Sequence, residues 1–376
     1  MNSLQNDQRI VMTLDAGGTN LVFNAVQGGQ EVLQPFVLPA RHDTLEKMLT
    51  TIVDGFREIK IQLKDKPVAI SFAFPGPAEY EQGIIGDLEN LPVFRGGVAL
   101  GPALEEKFGI PVYINNDGDL FTYGEALAGL LPEINELLEN RGSPKRYRNL
   151  FGATFGTGFG GGIVLKGELF TGDNSAQAEV NRMRNRLYSN YSVEESTSIR
   201  GVQRVYARES GDHSAISPKD IYEIGMGLRP GHKAAAIKAF EELAIVAGDT
   251  FANAITLVDG LVVLGGGLSR AYPLFLPRLV EEMNASFETA KGSALPRMEI
   301  LAYNLEDPKE LELFLTGDAR EIQVPFSTKT LKYDPLKRIG VGFRRLGTSR
   351  AVSIGAYAFA LNRLGSDHPK AGHPVI

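Results

Sequence analysis

The chain has 376 residues, too many for one typical hydrophobic core, so two domains or lobes are expected. Its 43% hydrophobic and 22% charged residues suit a soluble globular protein, and its formal charge of −6 argues against nucleic acid or an anionic membrane as partner. It has no cysteine, which excludes disulfides and thiolate zinc sites.

The N-terminus, MNSLQNDQRI, is polar and lacks an apolar secretory core. No run approaches the roughly 20 apolar residues of a membrane span, so a cytoplasmic protein is the default expectation. An apolar, β-branched run from Ile10 to Leu14 then reaches Asp15, Gly17, Gly18, Thr19 and Asn20, and a second strand-like run, Leu21 to Val26, follows at once. The pattern is strand, tight polar turn, strand. The glycines let backbone N–H groups approach a ligand, Thr19 and Asn20 add side-chain donors, and Asp15 offers a carboxylate for hydrated Mg²⁺. An ordinary glycine hairpin has the same pattern.

A third short strand is expected over Glu31 to Leu38. The next helix has Asp43 as N-cap and Glu46 in a capping box, with Leu45, Met48, Leu49, Ile52, Phe56 and Ile59 at helical spacing. Pro67 to Phe74 reads as a strand buried on both faces, stopped by Pro75-Gly76-Pro77. After a loop over Gly83 to Gly97 and a short helix to Phe108, strand Val112 to Ile114 runs into Asn115-Asn116-Asp117 ahead of another helix. Asp117 there could take a proton from an attacking hydroxyl, although Asn and Asp before a helix commonly serve as N-caps. Glu133 to Arg148 reads as charged and exposed.

The opening layout returns at Asn149: a strand, a glycine turn (GTGFGG, Gly156 to Gly161) and return strands, which predicts two lobes of similar topology. GTGFGG matches the dinucleotide pattern GxGxxG, but that pattern requires a helix after the turn, whereas here a strand follows. A second phosphate loop, with Gly156, Thr157 and Gly158, fits better, and no GxxxxGK[ST] occurs. Ala176 to Asp212 is polar and helical in tendency. A long helix follows from about His232 to Val258, with Ile237, Phe240, Ala244, Ala247, Phe251, Ala254 and Val258 on its core face. Strand Leu261 to Leu264 ends in Gly265-Gly266-Gly267, which would let a planar ligand lie on backbone or form a plain turn. A helix near Leu276 to Ala290, a strand from Met298 to Tyr303 and a final helix from Ala351 to Leu364, whose small residues Ala351, Gly355, Ala356 and Ala358 suit close packing, complete the pattern. The five histidines are scattered without metal-ligand spacing.

Taken in order, these motifs resemble the sugar-kinase branch of the actin-like ATPase superfamily, and more narrowly the ROK family and its bacterial glucokinases. The resemblance runs from about Val11 to Leu361. It implies an α/β fold of two RNase H-like lobes with mixed five-stranded sheets and a cleft between them. The lobes would span residues 1–130 and 131–376, with an insertion at 305–345 and the final helix, 351–364, packing back near the first lobe. DAGGTN corresponds to the first phosphate motif, GTGFGGG to the second and LGGGLS to the adenosine motif, implying ATP and Mg²⁺ as cofactors with Asp15 orienting the metal through water. The same resemblance makes Asp117 the catalytic base and gives Asn90, Asn116, Asp117, Glu179 and Glu194 (Glu195 as the fallback) to a hexose or amino-hexose. Relatives also suggest a homodimer. The family's zinc-binding His is replaced by Arg182 and its zinc cysteines are absent, so no zinc site is expected and packing must hold that region. Arg182 could favour an anionic sugar or turn outward.

The implied activity is ATP-dependent phosphorylation of a hexose hydroxyl. Two alternatives are a sugar sensor of the same fold without turnover, and an ATPase or phosphohydrolase on the same scaffold. A DNA-binding repressor would need a module before the first motif, where only about ten residues stand.

Overall fold

Alternation and continuous burial dictate the strands. Ile10 to Leu14 are all buried, and Asp15 emerges where the strand ends. The computed structural model describes residues 2–16, 20–40, 42–88 and 91–365. Gly17, Gly18, Thr19 and Asn90 therefore lie outside the described residues. The chain forms two compact units: the first combines residues up to Ala128, Thr171–Gln177 and the chain from Leu346 onward; the second combines Gly129–Phe170 and Ala178–Arg345.

In the first unit, β1 (Ile10–Ala16) pairs antiparallel with β2 (Asn20–Gln27), and both β3 (Gln30–Glu31) and β4 (Phe36–Pro39) add to β2. On the other side β5 (Ala69–Ala73) and then β6 (Val112–Asn115) run parallel to β1, giving the order β3-β2-β1-β5-β6 with β4 as a sixth strand on β2. Helix α1 (Leu45–Gln62) buries Met48, Ile52, Gly55, Phe56 and Ile59. The Phe56 ring meets Phe23 and Phe72 at centroid distances of 5.2 and 5.7 Å. Such pairs add about 0.5–1.5 kcal/mol beyond area burial. Helix α2 (Leu100–Phe108) precedes β6, and α3 (Asp117–Ala128) follows it. The last helix of the chain belongs to this unit. Its Gly355 packs on the Leu120 carbonyl of α3, and Gly124 of α3 packs on the carbonyl of Ala351.

The second unit repeats that topology. Helix α4 (Leu130–Asn140) leads to β7 (Leu150–Phe155), which pairs antiparallel with β8 (Phe159–Leu165), and β9 (Glu168–Leu169) follows on β8. Short α5 (Glu194–Thr197), α6 (Ile199–Ser210), α7 (Pro218–Gly225) and the long α8 (Lys233–Val258) lead to β10 (Leu261–Gly265), parallel to β7. Next come α9 (Tyr272–Met283), a hairpin of β11 (Ser286–Glu288) and β12 (Ala294–Pro296), and β13 (Leu301–Asn304). Helix α10 (Pro308–Thr316), a second hairpin of β14 (Arg320–Gln323) and β15 (Thr330–Tyr333), and β16 (Arg338–Phe343) complete the unit. The sheet order is β9-β8-β7-β10-β16-β13. The final helix is α11 (Thr348–Gly365).

Several expectations need correction. Each large sheet has six strands rather than five. The third strand expected over Glu31 to Leu38 is two pieces, β3 and β4. The α1 N-cap is Thr44, whose Oγ1 accepts the Lys47 N–H, not Asp43. Glu133 to Arg148 is not simply an exposed stretch, because α4 buries Ile134 and Leu138 on an apolar stripe. Ile237 is 43% exposed and leaves the α8 core stripe. The region 305–345 is not one insertion: β16 is an inner strand between β10 and β13, and the β14–β15 hairpin forms a sheet of its own.

Candidate active site

In the first unit, the parallel strands bring their ends into one row. Asp15 pairs across to Ala73, and Ala73 to Asn115. Asp15 is exposed at the end of β1, Asn20 is exposed at the start of β2, and Asp117 lies two residues past the end of β6. The helix-capping role anticipated for this pair falls to Asn116. Its Oδ1 accepts the Gly118 N–H at 2.8 Å, and its carbonyl accepts the Leu120 N–H. Its amide also donates toward the Tyr80 hydroxyl at 3.5 Å, and Tyr80 donates to the Phe74 carbonyl.

Asp117 is the first residue of α3, and its Oδ1 shares the Gly118 N–H at 2.9 Å. Desolvation pushes this carboxyl above its ordinary value; the Gly118 N–H pulls it back, and the negative charge of Asp15 pushes it further up. Asp117 keeps an exposed face in the structure, so a proton can still reach it. Asp15 also borders a cavity of about 70 Å³ lined by Thr13, Asn24 and Ser353. The buried Asn24 Nδ2 and Ser353 Oγ have no hydrogen-bond partner among the described residues. An exposed carboxylate beside unsatisfied polar groups fits a cation carrying part of its water shell.

In the second unit, two glycine turns lie side by side at the ends of β7 and β10, because Gly265 pairs with Thr154. The first turn, Gly156-Thr157-Gly158, closes with Gly156 N–H donating to the Gly158 carbonyl, and Thr157 is exposed. The second turn needs glycine at Gly266, where φ is +81° and a side chain would overlap the Phe155 backbone. Gly267 is exposed, and a Cβ there would meet nothing within 4 Å, so a ligand can approach this backbone. Arg344, just past β16, donates to the Gly266 carbonyl and Ser269 Oγ, each at 3.2 Å. Its guanidinium lies 4.6 Å from the Phe343 ring centroid.

Glu194 braces the first turn. Its Oε2 accepts the Phe159 N–H at 3.0 Å, and its Oε1 accepts from Arg200 at 2.6 Å. Arg200 also donates to Glu195 and, through that hydrogen bond, holds the Glu195 carboxyl below its ordinary range. Both oxygens of Glu194 are thus engaged within this unit. Glu179 is exposed and starts the single turn Val180–Arg182. Arg182 is exposed and has no ion-pair partner among the described residues. The loop after it is pinned by Asn185, 1% exposed, whose amide donates to the Ser192 carbonyl and Ser196 Oγ while its oxygen accepts from Leu187 and Tyr188 N–H groups. The Tyr188 hydroxyl in turn donates to buried Glu242. These hydrogen bonds hold the loop together with the packing of Val180, Met183 and Val193.

Tyr80, Asn185, Arg200 and Arg344 were missed in the sequence. Their partners lie in other segments and follow no local spacing.

The layout shared by the two sheets, five strands in the same spatial order with one extra strand each and the glycine or carboxylate groups at the ends of parallel strands, is the fold of the actin-like ATPases. The ROK family model matches residues 11–307, and the chain belongs to the ROK family. The crystal structure of a glucokinase from Parabacteroides distasonis is 57% identical, superposes with a TM-score of 0.89, and is covered over 96% of this chain and 99% of that one. An N-acetyl-D-glucosamine kinase from Photobacterium profundum is 26% identical over 287 residues, which are 71% of this chain and 87% of that protein. A ROK family glucokinase from Streptomyces griseus, solved in complex with glucose and AMPPNP, is 19% identical, with a TM-score of 0.59 over 93% of this chain and 98% of that one; it supports the fold alone. Among the described residues, no helix is long and apolar enough to cross a membrane.

Proposed function

We propose that this ATP-dependent sugar kinase transfers the γ-phosphoryl group of ATP to a hydroxyl of a hexose, with glucose the first candidate and Asp117 the general base. The observation that carries the reading is Asp117 itself: an accessible carboxyl at the end of β6, raised by its surroundings and by Asp15. A base whose pKa is raised toward working pH accepts a proton more effectively. The sugar hydroxyl oxygen forms the new bond to γ-phosphorus, its proton passes to the Asp117 carboxylate, and ADP departs with the electrons of the broken bond. Asn116 fixes the turn that aims Asp117, and Tyr80 restrains Asn116.

Asp15 would hold hydrated Mg²⁺, which supplies charge neutralisation at the phosphates. Gly17, Gly18, Thr19 and Asn20 would donate to phosphate oxygens. In the second unit, Gly156, Thr157 and Gly158 would do the same, and Gly265, Gly266 and Gly267 would receive adenosine. Asn90, Asn116 and Glu179 would bond sugar hydroxyls, the two amides as donors and acceptors and the carboxylate as an acceptor of several hydroxyls at once. We assign Glu194 to bracing the phosphate turn, since both of its oxygens are engaged there.

Glucose is placed first because the glucokinase of Parabacteroides distasonis shares 57% identity over nearly the full length. The test is kcat/KM with Mg-ATP for glucose, fructose, mannose, N-acetylglucosamine, N-acetylmannosamine and an acidic sugar. Glucose should give the highest value. A preference of about tenfold or more for an N-acetylated or acidic sugar would overturn that assignment, a difference of about 1.4 kcal/mol in transition-state binding.

A further inference from the structure

At the other end of the second sheet, where β7, β10 and β16 begin, lies a cavity of about 520 Å³. This is the usual size of a small-molecule pocket. Five cations line it: Lys145, Arg146, Arg148, Lys166 and Lys337. Against them stand two carboxylates, Asp259 and Glu299. Arg338 also borders it, but its charge is spent on Asp334, with both side chains fully buried. Arg146 and Lys337 make only loose pairs, each at 3.7 Å, with Glu139 and Glu299. Lys145, Arg148 and Lys166 have no ion pair among the described residues. This concentration of positive charge occurs on a chain whose formal charge is −6.

Hydrogen bonds tie together the loops that carry these residues. Asn149 donates to the Val258 and Asp259 carbonyls, and its Oδ1 accepts the Lys166 N–H at 2.8 Å. Gly167 N–H donates to the Arg148 carbonyl. Lys166 and Gly167 form the two-residue turn between the paired Leu165 and Glu168, with φ of +55° and +86°. Such a turn favours Asn at its first position. Lysine is disfavoured there by the backbone, and Lys166 lines the cavity.

We propose that this cavity binds a small, multiply charged, phosphate-bearing metabolite, at a site separate from the glycine turns. A half-open pocket of about 520 Å³ rather than an extended basic stripe, on an acidic protein, favours a small ligand over a nucleic-acid strand. Charge-assisted bonds from lysine and arginine suit phosphate oxygens.

The test is equilibrium binding of inorganic pyrophosphate to the full chain in the presence of saturating AMPPNP, for wild type, Arg148→Ala, Lys166→Asn and Asp117→Asn. We expect one saturable site in wild type and in Asp117→Asn, weakened about five- to tenfold by Arg148→Ala and by Lys166→Asn. Lys166→Asn suits the turn and should leave Tm unchanged or raised, which separates lost binding from lost folding. No saturable binding up to about 1 mM, or equal affinity in wild type, Arg148→Ala and Lys166→Asn, would overturn the proposal. Because Asp117→Asn should bind normally, loss of this site is distinguishable from failure of the kinase reading.

Discussion

At Asp117, desolvation and the nearby Asp15 raise the carboxyl while the Gly118 N–H opposes them. Three outcomes follow at this scale. Asp117→Asn should keep hexose affinity and lose turnover by about 10²- to 10⁴-fold, the usual worth of a general base; near-wild-type turnover measured by steady-state kinetics would remove Asp117 from that role. The acid limb of kcat/KM should lie above 3.8, the ordinary value for aspartate, because the base must be ionised to act. A pH–rate profile checks this, and Asp15→Asn should move the limb downward by removing a negative neighbour. The sign for stability is the reverse of a salt-bridged carboxylate. A raised folded pKa means that ionising Asp117 costs stability above the unfolded value, fully so above the folded one. Asp117→Asn should therefore raise Tm at pH 7, with the gain shrinking as pH falls through the folded pKa of Asp117, as calorimetry at several pH values would show.

Among elements, the loop after Arg182 and the α3–α11 crossing make the sharpest demands. Asn185 makes four side-chain hydrogen bonds from a site 1% exposed, so Asn185→Ala leaves four partner groups without it, the buried Ser196 hydroxyl among them. It should cost about 2–4 kcal/mol in urea unfolding. Gly355 and Gly124 let α3 and α11 meet backbone to backbone. Gly355→Ala should destabilise by about 1–3 kcal/mol or more, although Gly→Ala in an unobstructed helix is favourable by about 1 kcal/mol. The small residues of α11 were legible as a close-packing helix, but the partner helix was not. The apolar run of β1, the buried strand β5 and the stripe of α1 were legible because burial on a regular element leaves a periodic trace. The contacts of Glu194 with Phe159, 35 residues away, and with Arg200, six residues on, were not legible, because neither lies at helical or strand spacing. Arg344 was invisible for the same reason, its partner Gly266 lying 78 residues back.

Across the whole molecule, the same order of five strands occurs twice, each time with one extra strand, and both sets of candidate site residues sit where parallel strands end. The echo of NLFGATF-GTG on the opening hairpin was readable because glycine turns punctuate both hairpins. The extra strands were not: β4 is four residues of uneven burial, and β16 lies in a polar region without a clean alternation. The decisive measurement is ADP release from Mg-ATP, with and without glucose and N-acetylglucosamine, for wild type and Asp117→Asn. Release stimulated by hexose in wild type and lost in Asp117→Asn is the predicted result. Hexose-independent ATP hydrolysis, or tight hexose binding with no ADP formed in wild type, would contradict sugar phosphorylation and point to an ATPase or a sensor.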